Sequence, residues 1–473
     1  MLTGATSRLP VELTVHYLQF LSIKDLVLSM GVCRSWRALG RTVPTYWRDI
    51  ELDTPSDTAL DLFQSRLTER RALPVNVAVI LTLEAQNSFV LNSVLPLLLP
   101  HIPRCRQLHI YVHIDIDKDL FPALSLQPAP LLEKLTLAFY GEVDDYQNTH
   151  AREHTNPFPP TLFASTAPLL RVLHVRAVDT VSTWPRVFAD VTKATFNYGT
   201  IARHIVDFSR MENHLPALTD LTIVGTDAVY LGGISFSSAA QSVLGRLRVL
   251  RMFMRDRMPF ELLHWTGTAS VPHIYTTDTT TRALSPLMSH VGSQVSLNAG
   301  LLDQETGEAG RFVLRYQSLH TGICRTVEGI LSHEGSFEAE VPVLPGLDFL
   351  HEKLCRLEIS VQLWVKLASR FTLPPLPACT DILIQLNRNV KLADMRAVPS
   401  WMRLQCPALR AIELTPGSSE IDPVRRCTSG YLSHVLMSIF PRMEKCIRVT
   451  LRSLHLESDS DDIPDWIEIF AGE

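Results

Sequence analysis

The sequence predicts a mixed α/β chain, in which a small block of three helices at the N-terminus is followed by a curved solenoid of repeated strands forming a mostly parallel sheet. Three observations carry that expectation. Capping signals and helical apolar spacing crowd residues 9–50, a Leu-x-x-Leu-x-apolar core recurs nine times between residues 105 and 456, and a proline stands two residues before the first position in six of those nine units. With 46% hydrophobic and 20% charged residues, the 473-residue chain has the apolar surface that an ordered core requires.

Pro10 opens the first helix, where a missing N–H costs nothing, and Glu12 follows where a negative charge complements the helix N-terminus. Leu13, Tyr17, Leu18 and Leu21 then recur at helical spacing. Ser22 and Asp25 fit a capping box ahead of Leu26, Val27, Leu28 and Met30. Gly31 ends that helix, Val32 begins a third whose apolar face carries Trp36 and Leu39, and Pro44 closes it. Three short helices make too small a core to stand alone, so the block is expected to lean on a partner.

Residues 51–74 read as a helical linker, with a helix over 57–70, and "LPVNVAVILTL" reads as the first buried strand of a new domain spanning 75–456. The repeat units centre on Leu108, Leu135, Leu173, Leu221, Leu250, Leu357, Ile382, Ile412 and Leu454, with a weaker unit at Val191, Ala194 and Phe196. Pro103, Pro130, Pro168, Pro216, Pro377 and Pro407 supply the recurring offset. The short steps match leucine-rich repeats of about 20–29 residues, in which each strand buries its apolar face against its neighbours. Roughly 270–345 breaks the period and reads as degenerate repeats or an insertion with short strands. The tail 457–473, with seven acidic residues and no basic one, reads as solvated and partly disordered.

Composition narrows the function. A net charge of −5 and a pI near 6.4 leave no electrostatic footprint for nucleic acid. The eight cysteines are scattered without a CxxC pair, which predicts reduced, mostly buried thiols, and no apolar run is long enough to span a bilayer, so an intracellular protein of cytoplasm or nucleus is expected, without membrane partners. His101, Cys105, His109 and His113 stand at fourfold steps, but Pro103 and the strand around Leu108 argue against a metal-binding helix. His150 and His154 lack the adjacent glutamate of a zinc helix. Asp115, Asp117 and Asp119 lack the glycine and glutamate of a calcium loop. No phosphate-binding loop, dinucleotide fingerprint or nucleophile elbow occurs, so no cofactor and no catalytic site are predicted. Cys33, although flanked by Arg34 and Arg37, is expected to be a small buried apolar residue rather than a reactive thiol.

Leu9, Pro10, Glu12, Leu13, Leu21, Asp25, Leu26, Val32, Cys33, Trp36, Arg37 and Trp47 follow one another in the order and spacing of the F-box pattern, and the N-terminal block resembles an F-box. Tyr17 departs from it, standing where isoleucine is usual. The repeats that follow resemble the degenerate leucine-rich repeats common in fungal F-box families. The resemblance implies a non-catalytic subunit of a Skp-cullin-F-box ubiquitin ligase, a substrate receptor that binds a Skp-type adaptor, and through it cullin, by its F-box and a protein substrate by its repeat domain. A scaffold acting outside a cullin ligase is the alternative. It further implies that Leu9, Pro10, Leu13, Tyr17, Leu21, Leu26, Val32 and Cys33 face the adaptor, with Trp36, Leu39 and Trp47 in the internal core. The irregular 270–345 segment is expected to contribute substrate specificity.

Overall fold

A computed structural model describes residues 10–69, 73–141, 158–178, 184–198, 208–225, 238–254, 266–277, 281–301, 310–331, 344–368, 373–386, 404–416, 426–440, 445–457 and 465–472. The chain divides into two compact units, residues 1–246 and 247–473.

The first unit begins with five helices, α1 (Val11–Gln19), α2 (Ile23–Met30), α3 (Arg34–Gly40), α4 (Pro44–Arg48) and α5 (Asp57–Glu69), with the short strand β1 (Asp49–Leu52) between the last two. Six parallel strands follow: β2 (Val75–Leu81), β3 (Cys105–His113), β4 (Lys134–Tyr140), β5 (Val172–Arg176), β6 (Lys193–Asn197) and β7 (Asp220–Gly225). Each pairs in parallel with the next, from β1 on β2 to β6 on β7. Alternation sends Leu108, Leu135, Leu173, Ala194 and Leu221 to the buried face, and the other face stays partly open. An aromatic layer, with Phe121, Phe139, Phe158, Phe188, Trp184 and Phe196 in edge-on or tilted contacts, fills the space beneath the buried face.

The proline offset has a structural cause. In Ala129–Leu132, Ala167–Leu170, Leu215–Leu218, Leu376–Cys379 and Cys406–Leu409, the fourth residue's N–H bonds to the first residue's carbonyl at 3.0–3.2 Å. Proline occupies the second position of each turn, where its fixed φ is already correct and its missing N–H is not needed. The turn then hands the first leucine of the repeat to the core.

The second unit contains β8 (Val249–Met254), β9 (His273–Thr276), β10 (Val295–Leu301), β11 (Gly310–Ser318), β12 (Cys324–Leu331), β13 (Leu354–Ser360), β14 (Asp381–Leu386), β15 (Ala411–Pro416), β16 (Arg426–Thr428), β17 (Ile447–Arg452), β18 (His455–Glu457) and β19 (Ile467–Gly472). β8 pairs with β9, and β9 with β12, in parallel. β12, β11 and β10 form an antiparallel meander, and β10 then continues into the parallel run β13, β14, β15, β17 and β19. The meander accounts for the broken period over 270–345: hairpin-joined strands need no proline turn or returning segment between them. The far end of the Phe312 ring on β11 packs against Gly329 on β12, where an added Cβ would sit 2.3 Å from Cζ, so the packing there requires glycine. β16 and β18 pair separately.

Two sequence expectations are corrected here. The unit centred on Leu454 is out of register: β17 buries Ile447, Val449 and Leu451 and ends at Arg452, Ser453 turns the chain at φ 56°, and Leu454 lies beyond the strand, half-buried. The acidic tail is not wholly solvated either, because Trp466 is buried and β19 adds Ile467 and Ile469 to the sheet beside Ile447 and Val449. Four apolar side chains at residues 466–470 outweigh the acidic composition around them.

Candidate functional site

The N-terminal helices are short because each is bounded by a local signal. Pro10 precedes α1 with extended ψ, and its carbonyl accepts the Thr14 N–H. Ser22 caps α2, its hydroxyl accepting the Asp25 N–H at 3.2 Å and donating to the Asp25 carboxylate at 2.6 Å. Cys33 caps α3, its sulfur accepting the Trp36 N–H at 3.4 Å. Pro44 starts α4.

Leu18, Leu26, Met30, Val43, Tyr46 and Trp47 form the buried core of this block, with Val15, Leu21, Ile23, Val27, Trp36 and Leu39 packed half-buried around it. The Trp47 indole N–H donates to the Arg41 carbonyl, and Arg37 Nε to the Met30 carbonyl at 3.2 Å, tying the helix ends together. Gly40 allows α3 to approach α2, since a Cβ there would meet Met30 Cγ at 2.5 Å.

Outside that core lies a concentration of apolar surface. Val11, Leu13, Tyr17, Phe20, Leu28 and Val32 are all at least half exposed, Phe20 at 75%. Leu13, Tyr17 and Phe20 stand at i, i+4 and i+7, which places them on one face running off the end of α1. The Tyr17 ring centroid is 6.5 Å from that of Trp36, so this face continues onto α3. Single exposed leucines are ordinary on a protein surface, but six large apolar side chains within 22 residues are the pattern of a docking face.

The structure sorts the residues singled out by sequence. Pro10, Leu13, Tyr17, Val32 and Cys33 are exposed on the helical block, and Leu21 is half-buried against the core. Leu26 is fully buried, because within α2 it lies one turn from Met30 and shares its inward face. It belongs to the core, whereas Leu28, two positions on, points away from it. Leu9 lies outside the described residues. Cys33 is exposed rather than buried, since the half-in position of a cap turns its side chain outward. Trp47 is buried, and Trp36 and Leu39 are half-buried around the core. Val11, Phe20 and Leu28 were missed, although the i, i+4, i+7 relation of Leu13, Tyr17 and Phe20 is present in the sequence.

The helical block is built onto the sheet. β1 continues from α4 and pairs with β2, Ile50 opposite Val77, and Asn76 Nδ2 donates to the Asp49 carboxylate at 2.6 Å. From α5, Arg66 reaches under the block to donate to the Tyr46 and Asp49 carbonyls, its guanidinium 5.0 Å from the Tyr46 ring centre. Burial pushes the Arg66 pKa down to about 10, with Tyr46, Asp49 and Glu51 opposing that shift. On the outer side, Lys24 and Asp53 form an ion pair at 2.7 Å. The hydrogen bond to Asp53, then the charges of Asp53 and Glu51, raises the lysine pKa, and the same bond lowers that of Asp53.

The metal-ligand candidates are dispersed. His101 belongs to a 3₁₀ turn, Cys105 is buried at the start of β3, His109 points to the sheet's open face, and His113 is buried at the strand's end. Asp115 pairs with His113 at 3.2 Å, while Asp117 is buried at the start of the helix Asp117–Leu124. His150 and His154 lie outside the described residues. Among the described residues, no group of three or more histidine, cysteine or acidic side chains is arranged to hold a metal, and no helix is long and apolar enough to cross a membrane.

The family model described as F-box-like matches residues 6–53, the stretch that holds α1 to α4, β1 and the exposed apolar face. No curated protein matches the chain.

Proposed function

From the F-box-like domain, we propose that this chain is the substrate-recognition receptor of a Skp-cullin-F-box ubiquitin ligase. The exposed apolar face of α1 to α3 would take a Skp-type adaptor, and the strand units a protein substrate. The observation that carries this reading is the coincidence of the F-box-like match with Val11, Leu13, Tyr17, Phe20, Leu28 and Val32. A large apolar side chain fully buried contributes roughly 1.5–3 kcal/mol, so half-exposed ones brought under a partner yield about 1 kcal/mol each. The proline-turn units are read as degenerate leucine-rich repeats, supported by the matching turns before five strands and by parallel pairing. The seven described cysteines are free, which supports a reducing, intracellular setting, and the acidic balance offers nucleic acid no surface.

In this reading no residue of the chain performs chemistry. The protein is a non-catalytic subunit that raises the effective concentration of a substrate lysine beside the charged enzyme. The β1–β2 pairing and the Arg66 bonds would keep the substrate surface of the first unit in fixed relation to the adaptor. Co-purification tests the proposal: the full chain should retain both a Skp-type adaptor and cullin. Adaptor without cullin would indicate a scaffold, and neither would remove the F-box reading. Point substitutions on the helical face are the appropriate control, because deleting residues 1–50 would strip the edge of β2 and the partners of Arg66.

A further inference from the structure

Resting on the receptor reading, we propose that the open face of β4 to β6 binds an extended acidic segment of a partner protein, with carboxylates spread along its length. Lys134 on β4 and Lys193 on β6 stand in register on either side of Val172 on β5, and Arg176 lies four residues further along β5. Among the described residues none of the three is ion-paired; Arg176 instead rests over the Tyr140 ring, 4.0 Å from its centre. Between them runs a polar row, His109, Thr136, His174, Thr195 and Thr222, opposite one another across β3 to β7. His109 Nδ1 is 2.9 Å from the Thr136 hydroxyl and His174 Nε2 3.4 Å from that of Thr195. Burial, then Lys134 and His174, pushes the His109 pKa down to about 4, and burial followed by Lys134 lowers that of His174. Both imidazoles are thus neutral near pH 7, and the three cations outnumber the one carboxylate in register with them. The carboxylate beside them is Asp220, opposite Lys193 and held by the Thr219 hydroxyl at 2.8 Å.

Spacing selects the ligand. Two strands separate the lysines by about 10 Å, and four residues place Arg176 about 13 Å along the strand from their row. The stack on Tyr140 draws the guanidinium further from the lysines, because Tyr140 lies two residues beyond Ala138, the partner of Arg176 across β4 and β5. One phosphate cannot bridge all three groups, whereas successive carboxylates of an extended chain can. Three cations on a chain of net charge −5 are too few for a nucleic-acid backbone.

Fluorescence anisotropy of the full-length protein with a labelled peptide of alternating aspartate and serine tests this. The peptide should bind, its asparagine counterpart should not, and added salt should weaken the complex. Lys134→Glu and Lys193→Glu should each weaken it about tenfold at unchanged thermal midpoint, and Arg176→Glu similarly, while Arg186→Glu, an exposed site away from this face, should have no effect. Equal binding of the asparagine peptide, equal loss with Arg186→Glu, or full competition by inorganic phosphate or a single-stranded oligonucleotide would overturn the proposal. Adaptor retention is scored on the same samples: adaptor bound without peptide binding removes the acidic-segment inference alone, and peptide bound without adaptor removes the receptor reading alone.

Discussion

Replacing Arg66 by methionine should loosen the helical block from the sheet. Arg66 is 3% exposed, and its guanidinium supplies hydrogen bonds to the Tyr46 and Asp49 carbonyls at the junction of α4 and β1. Hydrogen bonds from a charged donor contribute roughly 1.5–3 kcal/mol each, so the pair is worth about 4 kcal/mol. Burial opposes this: lowering the pKa from 12.5 to about 10 corresponds to roughly 3 kcal/mol against the charged form. Methionine removes both effects, but it also leaves two buried carbonyls without a donor at about 1–3 kcal/mol each. The balance is a destabilisation of at least about 3 kcal/mol, concentrated at the junction. Urea unfolding should show the lowered midpoint, and hydrogen exchange should show faster exchange at Asp49–Leu52 than at β4 to β6. An unchanged midpoint together with unchanged exchange at β1 would refute the idea that Arg66 joins the block to the sheet.

Three further outcomes follow from the same packing. Leu26→Ala should cost about 2–5 kcal/mol, measured by chemical denaturation, because the side chain is fully buried, whereas Leu28→Ala should leave stability almost unchanged. Tyr316→Phe should destabilise the second unit by about 1–2 kcal/mol in thermal unfolding, since the buried hydroxyl donates to the Pro345 carbonyl, which would lose its partner. His109 and His174 are harder to protonate when folded than at their ordinary 6.5, so the unfolded chain takes up more protons below that value. Stability should therefore be full above about pH 7 and fall as pH drops from 6.5 toward 4, by on the order of 1 kcal/mol for half-exposed His109 after solvent screening. Thermal midpoints of His109→Gln should show a weaker dependence over that window.

The parts of the fold most legible in the sequence were those where one residue type has one physical use. Proline ahead of six units marked a turn in five of them, and Leu108, Leu135, Leu173, Leu221, Leu250, Leu357, Ile382 and Ile412 all entered strands and became buried. Segment 270–345 was legible only as a break, because an antiparallel meander replaces the turn chemistry with hairpins whose register depends on partners far along the chain. β19 was hidden by composition: acidic residues dominate the tail, yet Trp466 to Phe470 decide its structure. Within the helical block, Ser22 and Gly31 bounded α2 as expected, but the third helix starts at Arg34 after the Cys33 cap and ends at Gly40. Pro44, expected to close it, instead opens a fourth helix, since proline suits a first helical position. The family pattern, however, does not distinguish residues that fill the core from residues that face outward. Leu26 and Leu28 differ only in direction, and that is settled by packing against Leu18, Met30 and Trp47. Cys33 was misplaced because its type favours burial while its position at a helix cap favours exposure.

The affinity of the full-length protein for a purified Skp-type adaptor, compared with that of a Leu13→Asp, Tyr17→Asp variant, tests the central claim most directly. Both side chains are more than half exposed, so the variant should keep its thermal midpoint. Burying two carboxylates in an apolar contact should then weaken binding by roughly a hundredfold or more, about 3 kcal/mol. Equal affinity of the two proteins for the adaptor, or no binding by either, would contradict the assignment of this face as the docking site.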